Sequence, residues 1–175
     1  GLNYADHATE LAFAAAPTEP LVFIKSQGSY VGHNGYSWRP DNIHYMHYEC
    51  ELAIVIGKEA KNVSQEDAWD YVQGYTLCND YAIRDYLENY YRPNLRVKNR
   101  DSFTVVGPYI MDKEDLADST HLSLKTWVND ELRQEGNTKD MIFDVPFLIE
   151  YLSSFMTLQP GVMLATGCPK GTSDV

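Results

Sequence analysis

Three cysteines in 175 residues, Cys50, Cys78 and Cys168, are odd in number and too widely spaced to form a disulfide framework. The chain therefore reads as a thiol-containing protein of a reducing compartment, the cytoplasm. Long apolar runs are also missing. The longest, Leu11 to Ala16, has six residues, against roughly 20 for a helix that spans a bilayer. Cations are scarce: 14 Lys and Arg face 25 Asp and Glu, a net charge of −11 with histidine neutral. That balance argues against nucleic acid or an anionic membrane as a partner, because both need a net attraction to Lys and Arg. Gly1-Leu2-Asn3-Tyr4 offers no basic segment ahead of an apolar one, so no secretory signal is retained. There is no initiator Met, and the last residues, Thr172-Ser173-Asp174-Val175, carry no closing strand or cap; we expect a piece of a longer chain. What the sequence does have is aromatic surface, with 13 Tyr, 6 Phe and 3 Trp. That supply favours a packed core over disorder.

Leu21-Val22-Phe23-Ile24 is a short run of strand formers, followed from Ser26 to Pro40 by a polar, Gly-containing stretch that reads as a mobile loop. Glu49 to Ile56 is β-branched, short and closed by Gly57, which predicts a strand. Alternation puts Glu49, Glu51, Ala53 and Val55 on one face and Cys50, Leu52, Ile54 and Ile56 on the other. Ser64 and Asp67 resemble a capping box for a helix from Trp69 to Gly74, with a strand from Tyr75 to Cys78 after it. Asn79-Asp80 reads as a helix start, with Ile83, Leu87 and Tyr90 to Tyr91 as its stripe and Pro93 as its stop. Leu122 to Val128 and Glu131 to Gln134 predict a hairpin turning at Asn129-Asp130. Asp144-Val145-Pro146 starts a helix whose Phe147, Leu148, Tyr151, Leu152 and Phe155 share a stripe. A turn at Leu158 to Gly161 leads to a last strand, Val162 to Ala165. Strands outnumber helices without strict alternation, and no repeat or linker is visible. One α+β or mixed β domain is expected.

Glu49-x-Glu51 stands out at the start of an apolar strand. The two backbones lie about 6.6 Å apart, and the side chains can converge on one hard cation at roughly 2.0 to 2.6 Å. An isolated E-x-E is equally what a solvated edge strand presents. Asp80, at the C-terminal end of another apolar segment, supplies a third carboxylate, and a set of three carboxylates without His favours Mg²⁺ or Mn²⁺ over Zn²⁺. Arg84, Arg92, Arg96, Lys98 and Arg100 face only Asp85 and Glu88, a local basic patch of five against two in an acidic chain. It suits a substrate bearing carboxylates, and reads equally as a solvated helix and loop. Lys98 is its favoured member, lying past the proline where the chain turns back. In Asp6-His7-Ala8-Thr9-Glu10, a helix would set His7 and Glu10 on one face, where the carboxylate can orient an imidazole that moves a proton or activates water. His44-x-x-His47 matches no defined zinc spacing and reads as two polar residues. Cys78 and Cys168, in apolar surroundings, read as core thiols.

Asn3-Tyr4-Ala5-Asp6-His7, Leu21 to Lys25, His47-Tyr48-Glu49-Cys50-Glu51, Gly74 to Asp80, Arg96-x-Lys98-x-Arg100-Asp101 and Ala165-Thr166-Gly167-Cys168-Pro169-Lys170-Gly171 together resemble the fumarylacetoacetate hydrolase family, in order and over almost the whole chain. The resemblance implies a mostly β, mixed β-sandwich roll, dimeric, with residues 1–175 as a catalytic domain and 1–20 as a lid segment. Both ends of the sheet are expected to be incomplete. Glu49, Glu51 and Asp80 match the family's metal ligands, Lys98 its active-site lysine, Arg84 a substrate-side arginine, and His7 with Glu10 the pair on its closing lid. Gly167 and Cys168 fall on its substrate side, Cys168 standing where many members have Thr, and Val105-Val106 replaces a more usual Thr-Pro before Gly107. The stretch from Asn79 to Lys98 resembles the branch that decarboxylates 5-oxopent-3-ene-1,2,5-tricarboxylate and isomerises 2-hydroxyhepta-2,4-diene-1,7-dioate in homoprotocatechuate catabolism. The alternatives are an acylpyruvate or other 1,3-diketone C–C hydrolase, and a catalytically inactive, metal-stabilised interaction domain.

Overall fold

The computed structural model describes residues 1–10, 17–87 and 94–175. The run Leu11 to Ala16, together with Glu88, Tyr90, Tyr91, Arg92 and Pro93 of the expected helix and basic patch, lies outside the described residues. Among the described residues are nine strands and three α-helices: α1 (Ala5–Glu10), β1 (Tyr30–Gly32), β2 (Met46–His47), β3 (Cys50–Ile56), β4 (Val72–Asp80), β5 (Ala82–Ile83), α2 (Leu95–Lys98), β6 (Thr104–Asp112), β7 (Ser123–Val128), β8 (Glu131–Asn137), α3 (Val145–Phe155) and β9 (Met163–Ala165). The main sheet has five strands in the order β1-β6-β4-β3-β9, and β2-β5 and β7-β8 form two smaller pairs. Only β1 runs parallel to its neighbour, β6; β4 lies antiparallel to β3 and β6, and β9 antiparallel to β3. The mixed α+β expectation holds.

The two faces of β3 separate as its alternation dictates. Leu52, Ile54 and Ile56 pack in the main core with Val72 and Tyr75 of β4 and Ile149 and Leu152 of α3. Each such side chain contributes about 1.5–3 kcal/mol when fully buried, so this face fixes the sheet against the helix. The other parity is committed elsewhere. Antiparallel pairing sets Glu51 opposite Cys78, and Cys78 and Asp80 opposite Val106 and Thr104, and opposed residues share a face. Glu51, Ala53, Cys78, Asp80, Thr104 and Val106 accordingly line a cavity of about 410 Å³.

The hairpin turns at Asn129 (φ 49°) and Asp130 (φ 64°) as expected. The helix α3 starts as expected too, with Asp144 Oδ1 accepting from the N–H of Phe147 at 2.9 Å. Its stripe is rotated, however. Leu148, Ile149 and Leu152 face the core, while along the helix flank Phe147 stacks on Tyr151 and the exposed Phe155 meets Tyr151 edge to face.

Three local expectations are corrected. Ser64 and Asp67 do bond to each other, Ser64 Oγ accepting from the Asp67 N–H at 3.2 Å, yet they lead only into the single 3₁₀ turn Ala68–Tyr71. Val72 and Gly74 belong to β4 because β3 and β6 recruit that backbone from both sides, a tertiary override of local propensity. Asn79-Asp80 ends β4 rather than starting a helix: the Asp80 N–H donates to the Glu49 carbonyl at 2.9 Å, and Asn79 Oδ1 accepts from the Glu49 N–H at 2.9 Å. The stretch 26–40 contains β1, pinned to β6 by the buried Ser29 Oγ···Thr104 Oγ1 contact of 2.7 Å; three residues are too few for periodicity to reveal. Smaller shifts put the start of β3 at Cys50 and of β9 at Met163.

Candidate active site

The β3–β4 register brings carboxylates together where β4 ends and β3 begins, in the middle of the sheet. Glu49 (5% exposed), Glu51 (2%) and Asp80 (2%) are all buried. Buried carboxylates repel unless cations match them, and the fold supplies the match unevenly. Lys98, at the end of α2, donates from Nζ to Glu49 Oε2 at 2.5 Å, to Asp80 Oδ2 at 2.8 Å and to the Asp80 carbonyl at 3.1 Å. Lys25 Nζ donates to Asp80 Oδ1 at 2.5 Å and also to the Lys98 carbonyl. Arg84, after β5, donates from Nη2 to Glu49 Oε1 at 2.8 Å. Among the described residues, Glu51 receives only a backbone donor, the Gly167 N–H at 2.8 Å.

The titration behaviour follows. Burial pushes the Asp80 carboxyl up, but Lys98 and Lys25 outweigh it and hold the group below the ordinary carboxylate range. Burial pushes Lys98 down, and Asp80, Glu49 and Glu51 outweigh that, holding it above the ordinary lysine range. Glu51 is driven up to about 7, first by burial and then by the Asp80 charge. Burial, with Glu49 and Glu51 nearby, raises the Cys168 thiol well above its ordinary value, which agrees with its reading as a core thiol in the ion-free protein.

The loop after β9 joins this cluster to the N-terminal helix. Thr166 donates from its N–H and Oγ1 to the Leu52 carbonyl at 3.0 and 2.8 Å. Asn3 ties the same loop to the start of α3, donating from Nδ2 to the Thr166 and Phe143 carbonyls at 2.8 Å each. Gly167 has φ +93°, and a Cβ there would stand 2.8 Å from Asn3 Cβ, so the close approach requires glycine. At the far end of the loop, the Gly171 N–H donates to both Glu10 oxygens at 3.1 and 3.2 Å. Glu10 Oε2 in turn lies 2.9 Å from Nδ1 of the buried His7. One loop therefore touches Glu51 through Gly167 and the His7–Glu10 pair through Gly171.

Of the basic patch, Lys98 and Arg84 meet the carboxylates, whereas Arg96 and Arg100 place their guanidiniums 3.9 and 5.8 Å from the centre of the Tyr86 ring. His44 contacts Asp85 at 3.0 Å, and His47 lies 3.4 Å from Arg84 Nε. Lys25 and Asn3 were not singled out from the residues. The only sequence signal for Lys25 was its place directly after the apolar run Leu21 to Ile24; Asn3 carries none outside its motif.

The donor set accommodates a divalent cation. Ligand atoms of Glu49, Glu51 and Cys168 all lie within 4.8 Å of one another. Among the described residues, Glu51 is a buried carboxylate with no cation hydrogen-bonded to it, so a cation placed there restores its charged form. Glu49 and Asp80, expected as the other two ligands, both point their two oxygens at cations, Glu49 at Arg84 and Lys98 and Asp80 at Lys25 and Lys98.

Fold and site define a class: a mixed-sheet α+β domain whose strand ends present buried carboxylates joined by one loop to a histidine–glutamate pair. The chain belongs to the fumarylacetoacetate (FAA) hydrolase C-terminal family, whose model matches residues 1–174. It is 66% identical over all 175 residues to the 4-hydroxyphenylacetate degradation bifunctional isomerase/decarboxylase of Salmonella dublin, and spans 41% of that relative's length. The crystal structure of 5-carboxymethyl-2-hydroxymuconate delta-isomerase from Mycobacterium smegmatis superposes with a TM-score of 0.89 at 35% identity, covering 100% of this chain and 68% of that one. Fumarylpyruvate hydrolase from Pseudomonas aeruginosa, solved with Mn²⁺ and pyruvate, superposes with a TM-score of 0.91 at 29% identity over 99% of this chain and 77% of that one. Among the described residues, no helix is long and apolar enough to cross a membrane.

Proposed function

We propose that this chain carries the catalytic machinery for decarboxylation of 5-oxopent-3-ene-1,2,5-tricarboxylate and isomerisation of 2-hydroxyhepta-2,4-diene-1,7-dioate in 4-hydroxyphenylacetate catabolism. The observation that carries the reading is the 66% identity maintained across the whole chain. The convergence of Glu49, Glu51, Asp80, Lys98 and Arg84 at one end of the β3–β4 pair supplies the chemistry. Glu49, Glu51 and Asp80 would hold Mg²⁺ or Mn²⁺, with the two lysines yielding part of their hold on Asp80. The bound ion supplies Lewis acidity toward a 2-oxo group and its neighbouring carboxylate.

Charge arithmetic supports an anionic substrate. Among the described residues, Lys25, Lys98 and Arg84 contact Glu49 and Asp80, and these three cations equal the carboxylates in number only once a bound ion restores the charge on Glu51. A divalent ion leaves an excess of two positive charges, which a 2-oxo dicarboxylate or tricarboxylate neutralises. Lys98 and Arg84 would hold remote carboxylates, and Gly167 and Cys168 would line the substrate side. With Nδ1 directed at Glu10, His7 keeps Nε2 for proton exchange. When the bond to CO₂ breaks, its electron pair passes into the conjugated 2-oxo system, and a proton delivered by His7 at the far carbon completes the product. Isomerisation is the same proton shift without loss of CO₂. We read the enzyme as cytoplasmic and as a homodimer or higher homo-oligomer, for which light scattering must return twice the mass of one chain or a higher multiple.

The test is Mg²⁺-dependent consumption of the tricarboxylate by wild type and Glu51→Ala. Full activity in the variant, or after chelation, overturns the metal role. A second reading, hydrolysis of acylpyruvates with His7 and Glu10 activating water, is favoured by the likeness to the hydrolase solved with pyruvate. Release of CO₂ marks the first reaction and two carboxylic acid fragments the second; absence of turnover on either substrate, with no thermal shift by divalent ions, marks an inactive interaction domain.

A further inference from the structure

Cys168 occupies an unusual place for a core thiol. It is 3% exposed, and among the described residues it is the only cysteine grouped with two acids, its Sγ lying within 4.8 Å of ligand oxygens of Glu49 and Glu51. The position is rigidly enforced. Asn3 fixes the Thr166 carbonyl, Gly167 admits no side chain beside Asn3, and the Gly167 N–H holds Glu51 Oε2 at 2.8 Å. Sulfur and carboxylate are thus clamped by adjacent residues of one loop. Among the described residues the Cys168 side chain makes no hydrogen bond, so the sulfur is not committed to structural bonding.

We propose that Cys168 is a donor beside Glu49 and Glu51, additional to the carboxylate set, and turns the site into a mixed oxygen and sulfur site for thiophilic divalent cations such as Zn²⁺ and Cd²⁺, in competition with Mg²⁺ or Mn²⁺. Thiolate is a soft ligand that contributes little toward Mg²⁺ or Mn²⁺ and much toward Zn²⁺ or Cd²⁺, whereas carboxylates serve both. The consequence is a site on which a hard working ion is displaced by a softer one. As the metal–sulfur bond forms, the S–H proton leaves to solvent, so no oxidant or reductant is needed. The inference rests on the reading of Glu49 and Glu51 as cation ligands, and its test keeps the two separable.

Cd²⁺ titrated into the 175-residue protein should raise an ultraviolet sulfur-to-cadmium charge-transfer band that saturates at one equivalent. The band should vanish in Cys168→Ser and in Cys168→Thr and persist in Cys50→Ser and Cys78→Ser. Mn²⁺ affinity, read by electron paramagnetic resonance of the free ion, should stay the same in Cys168→Ser, while Cd²⁺ and Zn²⁺ displace Mn²⁺ at least about tenfold less effectively, the low end of what losing a supporting group costs a metal site. Mn²⁺ binding without any Cd²⁺ band, or a band that survives both Cys168 substitutions, overturns the thiol donor and leaves the carboxylate site standing. Failure of both ions to bind overturns both readings.

Discussion

Glu49 and Glu51 lie two residues apart in the chain, yet the fold treats them oppositely. Glu49 meets Lys98 and Arg84 at 2.5 and 2.8 Å, and Asp80 beside it meets Lys98 and Lys25 at 2.8 and 2.5 Å. Among the described residues, Glu51 meets only a backbone N–H. The lysine end of the row is therefore charge-complete without any ligand, and the Gly167 end is not. A site of this design holds its shape before the cation arrives and reserves its attraction for that cation.

The largest effect comes from removing the match at the complete end. Lys98→Met leaves Glu49 and Asp80 without their shared ammonium, and should lower stability in urea unfolding by about 3–5 kcal/mol. Retention of wild-type stability would mean that Lys25 and Arg84 suffice alone.

At the incomplete end the sign reverses. Glu51 is raised from 4.5 to about 7, so folding disfavours its charged form. Its stabilising contribution is fully present below pH 4.5 and is lost as pH rises through about 7. Glu51→Gln keeps an oxygen for the Gly167 N–H and should make the ion-free protein more stable than wild type at pH 8, by an amount of order 3 kcal/mol, and equal to it near pH 4. The same variant should lose the thermal shift that Mn²⁺ gives wild type. A flat stability difference across that pH range would contradict the assignment.

Smaller effects are expected from the loop that joins the ends. Gly171 has φ +93°, and a Cβ there would lie 2.3 Å from the Arg133 carbonyl oxygen. Gly171→Ala should cost about 1–3 kcal/mol in backbone strain and, by moving the N–H that holds Glu10, lower kcat more than it raises KM. The smallest concerns Arg84, whose side chain is 25% exposed. Arg84→Lys should change stability by under about 1 kcal/mol, with its effect on KM for the most highly charged substrate.

Much of the fold was legible locally. Two-residue alternation in β3 correctly divided Glu51 and Ala53 from Leu52, Ile54 and Ile56, Asn129-Asp130 located the hairpin turn, and Asp144 with Pro146 located the start of α3. These features depend on neighbours in sequence. The misread elements depend on neighbours in space: Gly74 and Asn79 carry helix-boundary residue types, but β3 and β6 hold them in a strand.

The site divides the same way. Residue types and motifs picked out Glu49, Glu51, Asp80, Arg84, Lys98, His7 and Glu10, because unmatched acids in an apolar strand and a histidine one helical turn from a glutamate are visible in the chain itself. Which cation would neutralise which acid was not visible. Lys25, 55 residues from Asp80, and Cys168, grouped with Glu49 and Glu51 only by the return of the chain through β9, reach the site through strand register and loop closure. The sequence alone determined the chemical character of the site, since ionisable groups are fixed by residue type. Only the tertiary structure decided its charge balance, because Coulomb energy depends on distance and burial.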